Sequence, residues 1–157
     1  MGRDWVRAFI GLGANAGDPL TQIEQAMAAL MSLPATAGLQ RSRLYRTAPW
    51  QAQGPDFINA MVQLETQLSA PELWVQMQRI EQAAGRIRPF HHAPRTLDLD
   101  LIFYGQAVIN SPALVLPHPR WRERAFVLRP LSDLAPERIL ASDWAAVEDQ
   151  DITPLET

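Results

Sequence analysis

Two aspartates, Asp98 and Asp100, lie one residue apart at the start of the most strand-like apolar run of the chain, Leu97 to Tyr104. Side chains on a strand alternate between the two faces of a sheet, so both carboxylates are expected on one face, roughly 6.7 Å apart along the strand. Two carboxylates this close repel each other unless a cation lies between them or one is protonated. The pattern indicates either a metal site or a pair of solvated acids on an exposed sheet face. The same alternation predicts that the opposite face carries Leu97, Leu99, Leu101 and Phe103.

Composition limits the chemistry of such a metal site. The chain has no cysteine, and no histidine stands in metal-ligand spacing beside the aspartates. Oxygen ligands alone favour a hard cation such as Mg²⁺, which usually takes one or two carboxylates together with substrate phosphates. All 14 basic residues are arginine, which excludes the lysine of a P-loop, a Schiff-base enzyme or a protein kinase.

Length and charge narrow the class of protein further. The chain has 157 residues, 47% of them hydrophobic, and we expect one globular domain over residues 1–157. A net charge of -3 argues against a general nucleic-acid or membrane partner. No apolar stretch reaches the roughly 18 residues of a membrane span. We expect a cytoplasmic monomer, and the absence of cysteine fits a reducing compartment.

Periodicity predicts the order strand, helix, strand, strand, helix, strand, which is the split βαβ arrangement of a ferredoxin-like α+β sandwich. Helices are expected on one face of an antiparallel sheet, with the other face open for ligands. Gly105 and Gln106 predict a turn that pairs the acidic strand with Val108 and Ile109. An extra C-terminal hairpin and helices complete the expected fold, although the residues from Ala135 onward carry little signal. The other predicted elements are strands at Val6–Leu12, Leu39–Thr47 and Phe57–Thr66, and helices capped by Asp18 and Ser69.

Aromatic and basic residues near the acids suggest a ligand. Phe57 and Asn59 share a strand face beside a proline-rich loop, which suits stacking and hydrogen bonding of a flat heterocycle, although Phe57 taken alone favours core packing. Six arginines in residues 86–95 and 120–124 flank the acidic strand. Guanidinium groups hold phosphate oxygens bidentately, whereas a solvated helix face is the structural alternative. Together these features predict a Mg²⁺-dependent enzyme that acts on a nucleoside triphosphate.

Seven ordered segments resemble the 6-hydroxymethyl-7,8-dihydropterin pyrophosphokinase family of the folate pathway, from Ile10 to about Pro136. That family transfers the pyrophosphoryl group of ATP to a pterin alcohol and releases AMP. The most specific segment is PRTLDLDLIFYG, which begins at Pro94. The others are IGLGAN, YRTAP, PDFINA, QRIEQAAGRIR and the pair LPHP and RAFVLRPL.

The resemblance implies roles for individual residues. Asp98 and Asp100 would bind two Mg²⁺ ions, and Arg86 and Arg95 would be catalytic, on a loop that closes over ATP. The positions implied around ATP are Gln78, Glu81, Arg86, Arg95, His118 and Arg124. The positions implied around the pterin are Thr47, Ala48, Phe57, Asn59 and Phe126. Three positions depart from the common family pattern, and we expect weaker nucleotide affinity from His92, Ala113 and Pro119.

Two rival functions remain at this point. Polymerase and cyclase palms also place two acids on a ferredoxin-like sheet, but they transfer a nucleotidyl group and release pyrophosphate. An RNA-binding or small-ligand regulatory module of the same fold is the non-enzymatic alternative. No strand here has the aromatic and basic pattern of an RNA-binding sheet, and two acids would repel phosphate without a metal.

Overall fold

The computed structural model describes residues 3–49, 54–85 and 97–155 of the chain. Its main sheet is antiparallel, with the order β5-β1-β4-β3-β8 and with β2 also paired to β4, and β6 and β7 form a separate two-stranded sheet. The strands are β1 (Val6–Ala14), β2 (Thr36–Arg41), β3 (Tyr45–Thr47), β4 (Phe57–Thr66), β5 (Asp98–Tyr104), β6 (Ile109–Asn110), β7 (Val115–Leu116) and β8 (Ile152–Pro154). The helices are α1 (Pro19–Met31), α2 (Ala70–Ala83), α3 (Ala125–Leu134) and α4 (Ala141–Ala146). This order confirms the predicted α+β fold with split βαβ topology.

Both predicted helices begin where their caps were expected. Asp18 accepts a hydrogen bond from the Thr21 N–H at the start of α1. Ser69 and Glu72 form a reciprocal capping box at the start of α2, with bonds of 3.2 and 2.8 Å. Each cap satisfies helix N–H groups that have no intrahelical partner.

The predicted strand Leu39–Thr47 is wrong, because the structure divides this region into β2 and β3. Ser42 lies between them, and its hydroxyl accepts a hydrogen bond from the Met61 N–H at 2.9 Å. The side chain thus takes the place of a backbone carbonyl in the ladder with β4. This hydrogen bond to a side chain, in place of one to the backbone, interrupts the regular pairing of the strands.

Residues of β4 alternate between the two faces of the sheet, as predicted, but each face packs against a core. Ile58, Ala60, Val62 and Leu64 pack in a core with the apolar faces of α1 and α2. Met61 belongs to a second core on the opposite face, together with residues of α3 and with Trp121. The expectation of an open second face is therefore wrong over the part of the sheet that α3 covers.

A β-bulge in β5 changes the predicted faces of its last residues. Leu101 lies opposite Ile10 and Phe103 lies opposite Phe9, so Ile102 is an extra residue in the ladder. One extra residue reverses the alternation that follows it. As a result Phe103 lies in the second core with Ile102, and its predicted place beside Leu97, Leu99 and Leu101 is wrong.

The predicted pairing of the acidic strand with Val108 and Ile109 is also wrong. Gly105 does turn the chain after β5, in the left-handed region at φ 54°. Ile109 and Asn110 nevertheless pair with β7 rather than with β5. The extra hairpin is therefore formed by β6 and β7, and the chain then reaches His118, whose N–H donates to the Ile102 carbonyl of β5 at 3.0 Å.

Candidate active site

One end of the second sheet face contains a cavity of about 470 Å³. The antiparallel register explains its position, because Gly13 near the end of β1 lies opposite both Asn59 of β4 and Asp98 of β5. The ends of three strands thus meet at one edge, and the beginning of α3 and the segment before it form the remaining wall. The residues of these walls are Gly11, Leu12, Gly13, Thr47, Ala48, Phe57, Asn59, Asp98, Asp100, Ile102, His118, Arg120, Arg124, Phe126 and Val127.

Asp98 and Asp100 both line this cavity and are half-buried. Their partners on β1 are glycines, Gly13 opposite Asp98 and Gly11 opposite Asp100. No side chain of β1 therefore occupies the space beside either carboxylate. The predicted common face of the two aspartates is confirmed.

The two carboxylates fit a hard cation in their donor chemistry. Within residues 3–49, 54–85 and 97–155, no group of three histidine, cysteine, aspartate or glutamate side chains converges to form a complete metal cage. Mg²⁺ needs no such cage, because it keeps several waters and takes ligands from one or two carboxylates and from substrate phosphates. A pair of oxygen donors in an open cavity suits this ion.

Basic side chains line the same cavity as the acids. Burial lowers the pKa of His118, and nearby Arg124 and Arg120 lower it further, against the opposing effect of Asp100. The Nδ1 atom of His118 accepts a hydrogen bond from the Arg120 N–H at 3.2 Å, which leaves Nε2 as the protonated nitrogen of the neutral ring. Burial likewise lowers the pKa of Arg124, although this guanidinium stays charged at neutral pH.

Arg124 also contacts the aromatic part of the cavity. Its guanidinium carbon lies 5.3 Å from the ring centre of Phe126, within the range of a cation–π interaction. Among the residues that the structure describes, its buried Nε atom finds no hydrogen-bond partner. A buried donor without a partner costs stability. This N–H group is therefore suited to donate a hydrogen bond to an incoming anionic ligand.

Thr47 and Asn59 form a buried polar pair beside Phe57. The Thr47 hydroxyl donates to Asn59 Oδ1 at 2.6 Å, which fixes the orientation of the amide group. Asn59 Nδ2 then points toward Gly13, where a Cβ would lie only 3.0 Å from it. The absence of a side chain at Gly13 thus gives this amide its place in the cavity wall.

The structure brings together nine of the residues that the sequence singled out: Thr47, Ala48, Phe57, Asn59, Asp98, Asp100, His118, Arg124 and Phe126. Gln78 and Glu81 lie on α2 and are not part of the cavity wall. Arg86, Arg95 and His92 fall outside the described residues. Ala113 and Pro119 are exposed and do not line the cavity, although Pro119 stands between two residues that do.

Sequence reasoning missed Arg120, Gly11 and Gly13 as individual wall residues. Arg120 belonged to a basic cluster that was recognised only as a group. The predicted strand Val6–Leu12 included Gly11 and ended before Gly13, and only the strand register reveals that both glycines lie opposite the aspartates.

Glu81 contacts the acidic strand directly. Its side chain is buried, at 5% exposure, and its Oε2 atom accepts a hydrogen bond from the Leu99 N–H at 2.9 Å. Leu99 separates the two aspartates in sequence. Glu81 therefore supports the acidic strand from the helix side of the sheet.

The architecture and the cavity define a class of protein: a ferredoxin-like α+β domain whose ligand site combines paired acids, arginines and aromatic rings. Residues 9–136 match the family model of 7,8-dihydro-6-hydroxymethylpterin-pyrophosphokinase. The chain belongs to this family.

Curated relatives agree with this assignment. A 2-amino-4-hydroxy-6-hydroxymethyldihydropteridine pyrophosphokinase of Pseudomonas aeruginosa is 40% identical over 132 residues, which cover 83% of this chain and 82% of that protein. The protein of the same name from Methylorubrum extorquens is 39% identical and covers 87% of each chain. The folic acid synthesis protein fol1 of Pneumocystis carinii is 36% identical over 94% of this chain, which spans only 21% of the fungal protein.

Solved structures share the fold. A crystal structure of HPPK-DHPS in complex with substrates has a TM-score of 0.66 at 12% identity, covering 84% of this chain and 42% of that one. Wild-type Plasmodium falciparum HPPK-DHPS with pteroate has a TM-score of 0.68 at 14% identity, covering 87% and 40%. Within the part of the chain that the structure describes, no helix has the length and apolarity to cross a membrane.

Proposed function

We propose that this chain transfers the pyrophosphoryl group of ATP to the hydroxyl group of 6-hydroxymethyl-7,8-dihydropterin and releases AMP, as a step of folate biosynthesis. Family membership supports the reaction. The single observation that carries the proposal is the composition of the cavity, in which paired carboxylates and arginines share one space with two phenylalanines and a fixed amide. Such a space accommodates a polyphosphate and a flat heterocycle side by side.

The pterin binds at the aromatic end of the cavity. Phe57 and Phe126 supply apolar ring surface for stacking on the heterocycle. Asn59, oriented by Thr47, offers its amide N–H groups to the ring edge, and the backbone near Ala48 contributes further hydrogen bonds. Phe57 is half-buried, so its ring is not enclosed by the core.

The polyphosphate binds at the charged end. Asp98 and Asp100 would hold two Mg²⁺ ions, which would supply neutralisation of phosphate charge and easier ionisation of the substrate hydroxyl. Arg124, Arg120 and the Nε2–H of His118 donate to phosphate oxygens. Arg86 and Arg95 approach the same phosphates, and Gln78 and Glu81 support the nucleotide end from α2.

The reaction is an in-line displacement at the β-phosphorus. The pterin hydroxyl oxygen forms a bond to the β-phosphorus while the bond from that phosphorus to the α,β-bridging oxygen breaks. AMP leaves with this oxygen, and the hydroxyl proton passes to solvent. The protein contributes position and charge neutralisation.

Product identification tests the proposal. The protein is incubated with ATP, Mg²⁺ and 6-hydroxymethyl-7,8-dihydropterin, and the nucleotide products are separated by chromatography. AMP and pterin diphosphate in equal amounts are expected, with neither formed when Mg²⁺ or the pterin is omitted. Release of pyrophosphate would indicate nucleotidyl transfer, and release of ADP would indicate a simple kinase.

A further inference from the structure

Helix α3 begins without a side-chain cap of its own. Arg124 occupies the N-cap position and makes no capping hydrogen bond. The first N–H groups of a helix have no intrahelical partner and need one from elsewhere. At Ala125 this partner is Gln150, whose Oε1 atom accepts from the Ala125 N–H at 2.9 Å.

The other half of the same amide completes a bridge. Gln150 Nε2 donates to the Glu123 carbonyl oxygen at 2.9 Å. One carboxamide therefore fixes the backbone on both sides of Arg124, and Phe126 follows directly. Each bond uses a different end of the amide, so the bridge needs a donor and an acceptor on one side chain.

The segment that carries Gln150 also contacts β3, the strand that contributes Thr47 to the cavity wall. Two residues later β8 pairs with β3, with Ile152 opposite Thr47. The Leu155 N–H extends this pairing by donating to the Leu44 carbonyl at 2.9 Å. Residues 150–155 thus connect β3, which carries Thr47, with the start of α3, which carries Phe126.

A second, smaller cavity of about 170 Å³ lies between these two attachments. Thr47, Ala48 and Phe126 line both cavities, and Gln150 lines the second one. The spacing of the two pterin walls therefore depends on a segment that lies beyond residues 9–136, the part matched by the family model.

We propose that Gln150 is a positioning residue of this enzyme, which acts through Arg124 and Phe126 by fixing the backbone around them. The inference rests on the proposed function, because it assigns Phe126 to the pterin and Arg124 to the phosphates. Gln150 itself is outside the main cavity wall and does not touch either substrate site. Its loss loosens the start of α3 and widens the gap between Phe126 and Thr47.

The test compares Gln150→Met with a matched control, Gln67→Met. Methionine keeps the length and apolar stem of glutamine and removes both amide contacts. Gln67 makes the same type of bond, from Nε2 to the Arg3 carbonyl at 2.8 Å, but it lies away from both cavities. Steady-state constants for both substrates, urea unfolding and hydrogen exchange of the Ala125 amide are measured for both variants and the wild type.

For Gln150→Met we expect the KM for the pterin to rise about tenfold, a change that the loss of two neutral hydrogen bonds can account for. We expect kcat to stay within about threefold of wild type. The KM for ATP rises as well, and the Ala125 amide exchanges faster. Gln67→Met loses its single side-chain hydrogen bond, and the smaller unfolding free energy that goes with it, without a change in either KM.

Other outcomes separate the two proposals. An unchanged pterin KM in a folded Gln150→Met variant, or equal changes in both variants, overturns the positioning role and leaves the pyrophosphokinase assignment intact. A wild-type protein that binds no pterin and forms no AMP overturns the proposed function, and this inference with it. If Gln150→Met does not fold, Gln150→Glu retains the acceptor for Ala125, and an unchanged KM there overturns the donor half of the bridge.

Discussion

The buried carboxylate of Glu81 accepts a hydrogen bond from the Leu99 N–H at 2.9 Å. Leu99 is the residue between Asp98 and Asp100, and its side chain faces the helix side of the sheet. The contact therefore joins α2 to β5 at the point where the two acids face the cavity on the other side. A residue outside the cavity wall can in this way determine the geometry of the carboxylates within it.

Replacing Glu81 should affect stability and metal use together. Glu81→Ala leaves the Leu99 N–H buried without this acceptor, which should cost about 1 to 3 kcal/mol of unfolding free energy. We also expect a higher Mg²⁺ concentration for half-maximal AMP formation, because β5 is less firmly held. Glu81→Gln keeps an oxygen acceptor and should show smaller effects. An unchanged Mg²⁺ dependence in Glu81→Ala would limit Glu81 to a structural contact.

Substitution of Asp98 or Asp100 should lower turnover without weakening pterin binding. We expect Asp98→Asn and Asp100→Asn to lower turnover about 100-fold or more, because each removes charge that faces the phosphates. Pterin affinity, measured by isothermal titration, should stay close to wild type, since the aromatic end is unchanged. Asp4→Asn, an exposed acid outside the cavity, is the control. Near-normal turnover in either cavity variant refutes the metal role.

Phe57 should contribute to pterin affinity. Phe57→Ala removes the stacking surface, and we expect about a tenfold higher Kd for the pterin. Phe57→Tyr keeps the ring and should bind nearly as well as wild type. Nucleotide affinity should change little in both variants. If Phe57→Ala binds the pterin normally, Phe57 serves only in packing.

Gly11 and Gly13 of β1 both line the cavity, and alanine variants at the two positions can be compared directly. A Cβ at Gly13 would lie 3.0 Å from Asn59 Nδ2 and 3.9 Å from Phe57 Cδ1, whereas a Cβ at Gly11 would meet nothing closer than 3.7 Å. We expect Gly13→Ala to displace the Asn59 amide and to lower stability by about 1 to 3 kcal/mol.

Urea unfolding and pterin titration check this prediction. Gly11→Ala should unfold at nearly the wild-type urea concentration, because its new methyl group makes only ordinary contacts. Equal stability of the two alanine variants would show that Asn59 moves aside without cost.

The parts of the fold with strong local signals were predictable from sequence. In β4 the residues Ile58, Ala60, Val62 and Leu64 recur at every second position and pack toward the helix-side core, and a period-2 pattern of this kind predicts a strand. The capping box of Ser69 and Glu72 fixed the start of α2 for a similar local reason. The shared face of the aspartates followed from the same alternation.

The bulge at Ile102 had no such signal. Ile102 and Phe103 are both apolar, so the hydrophobic pattern of β5 fits a regular strand and a bulged strand equally well. The pairing of β8 with β3 was equally hidden, because Ile152–Pro154 is three residues long and joins a strand more than 100 residues earlier. Short non-local pairing leaves no periodic pattern, and the same holds for the Gln150 bridge.

The segment that forms α3 was recognised only through the sequence RAFVLRPL, and no bounds were predicted for a helix there. Pro130 lies inside it and removes the N–H that would bond to the Phe126 carbonyl, a feature that normally argues against a helix. Burial of Val127, Leu128 and Leu131 against the second face of the sheet stabilises the helix despite this loss. Tertiary packing thus decided the structure of this segment.

The hydrogen bond from the Tyr45 hydroxyl to Asp133 Oδ2, 2.6 Å long, should make stability depend on pH in the alkaline range. Burial, together with the hydrogen bond to the Asp133 carboxylate, raises the pKa of Tyr45 from 10.0 to about 12. A group whose pKa is raised by folding stabilises the fold fully below its unfolded value, and this contribution is lost as the pH rises. The free energy of unfolding should therefore fall between pH 10 and pH 12.

Tyrosine absorbance can isolate this group, because Tyr104 is the only other tyrosine in the chain. In a Tyr104→Phe variant, the phenolate signal should appear well above the ordinary pKa of tyrosine and coincide with loss of structure. Urea unfolding of Tyr45→Phe gives the control. This variant should be less stable than wild type at pH 8, and the difference should shrink as the pH rises, since wild type alone loses the neutral hydroxyl. A tyrosine titration at its ordinary pKa would show that the hydroxyl is open to solvent and that Asp133 holds it only weakly.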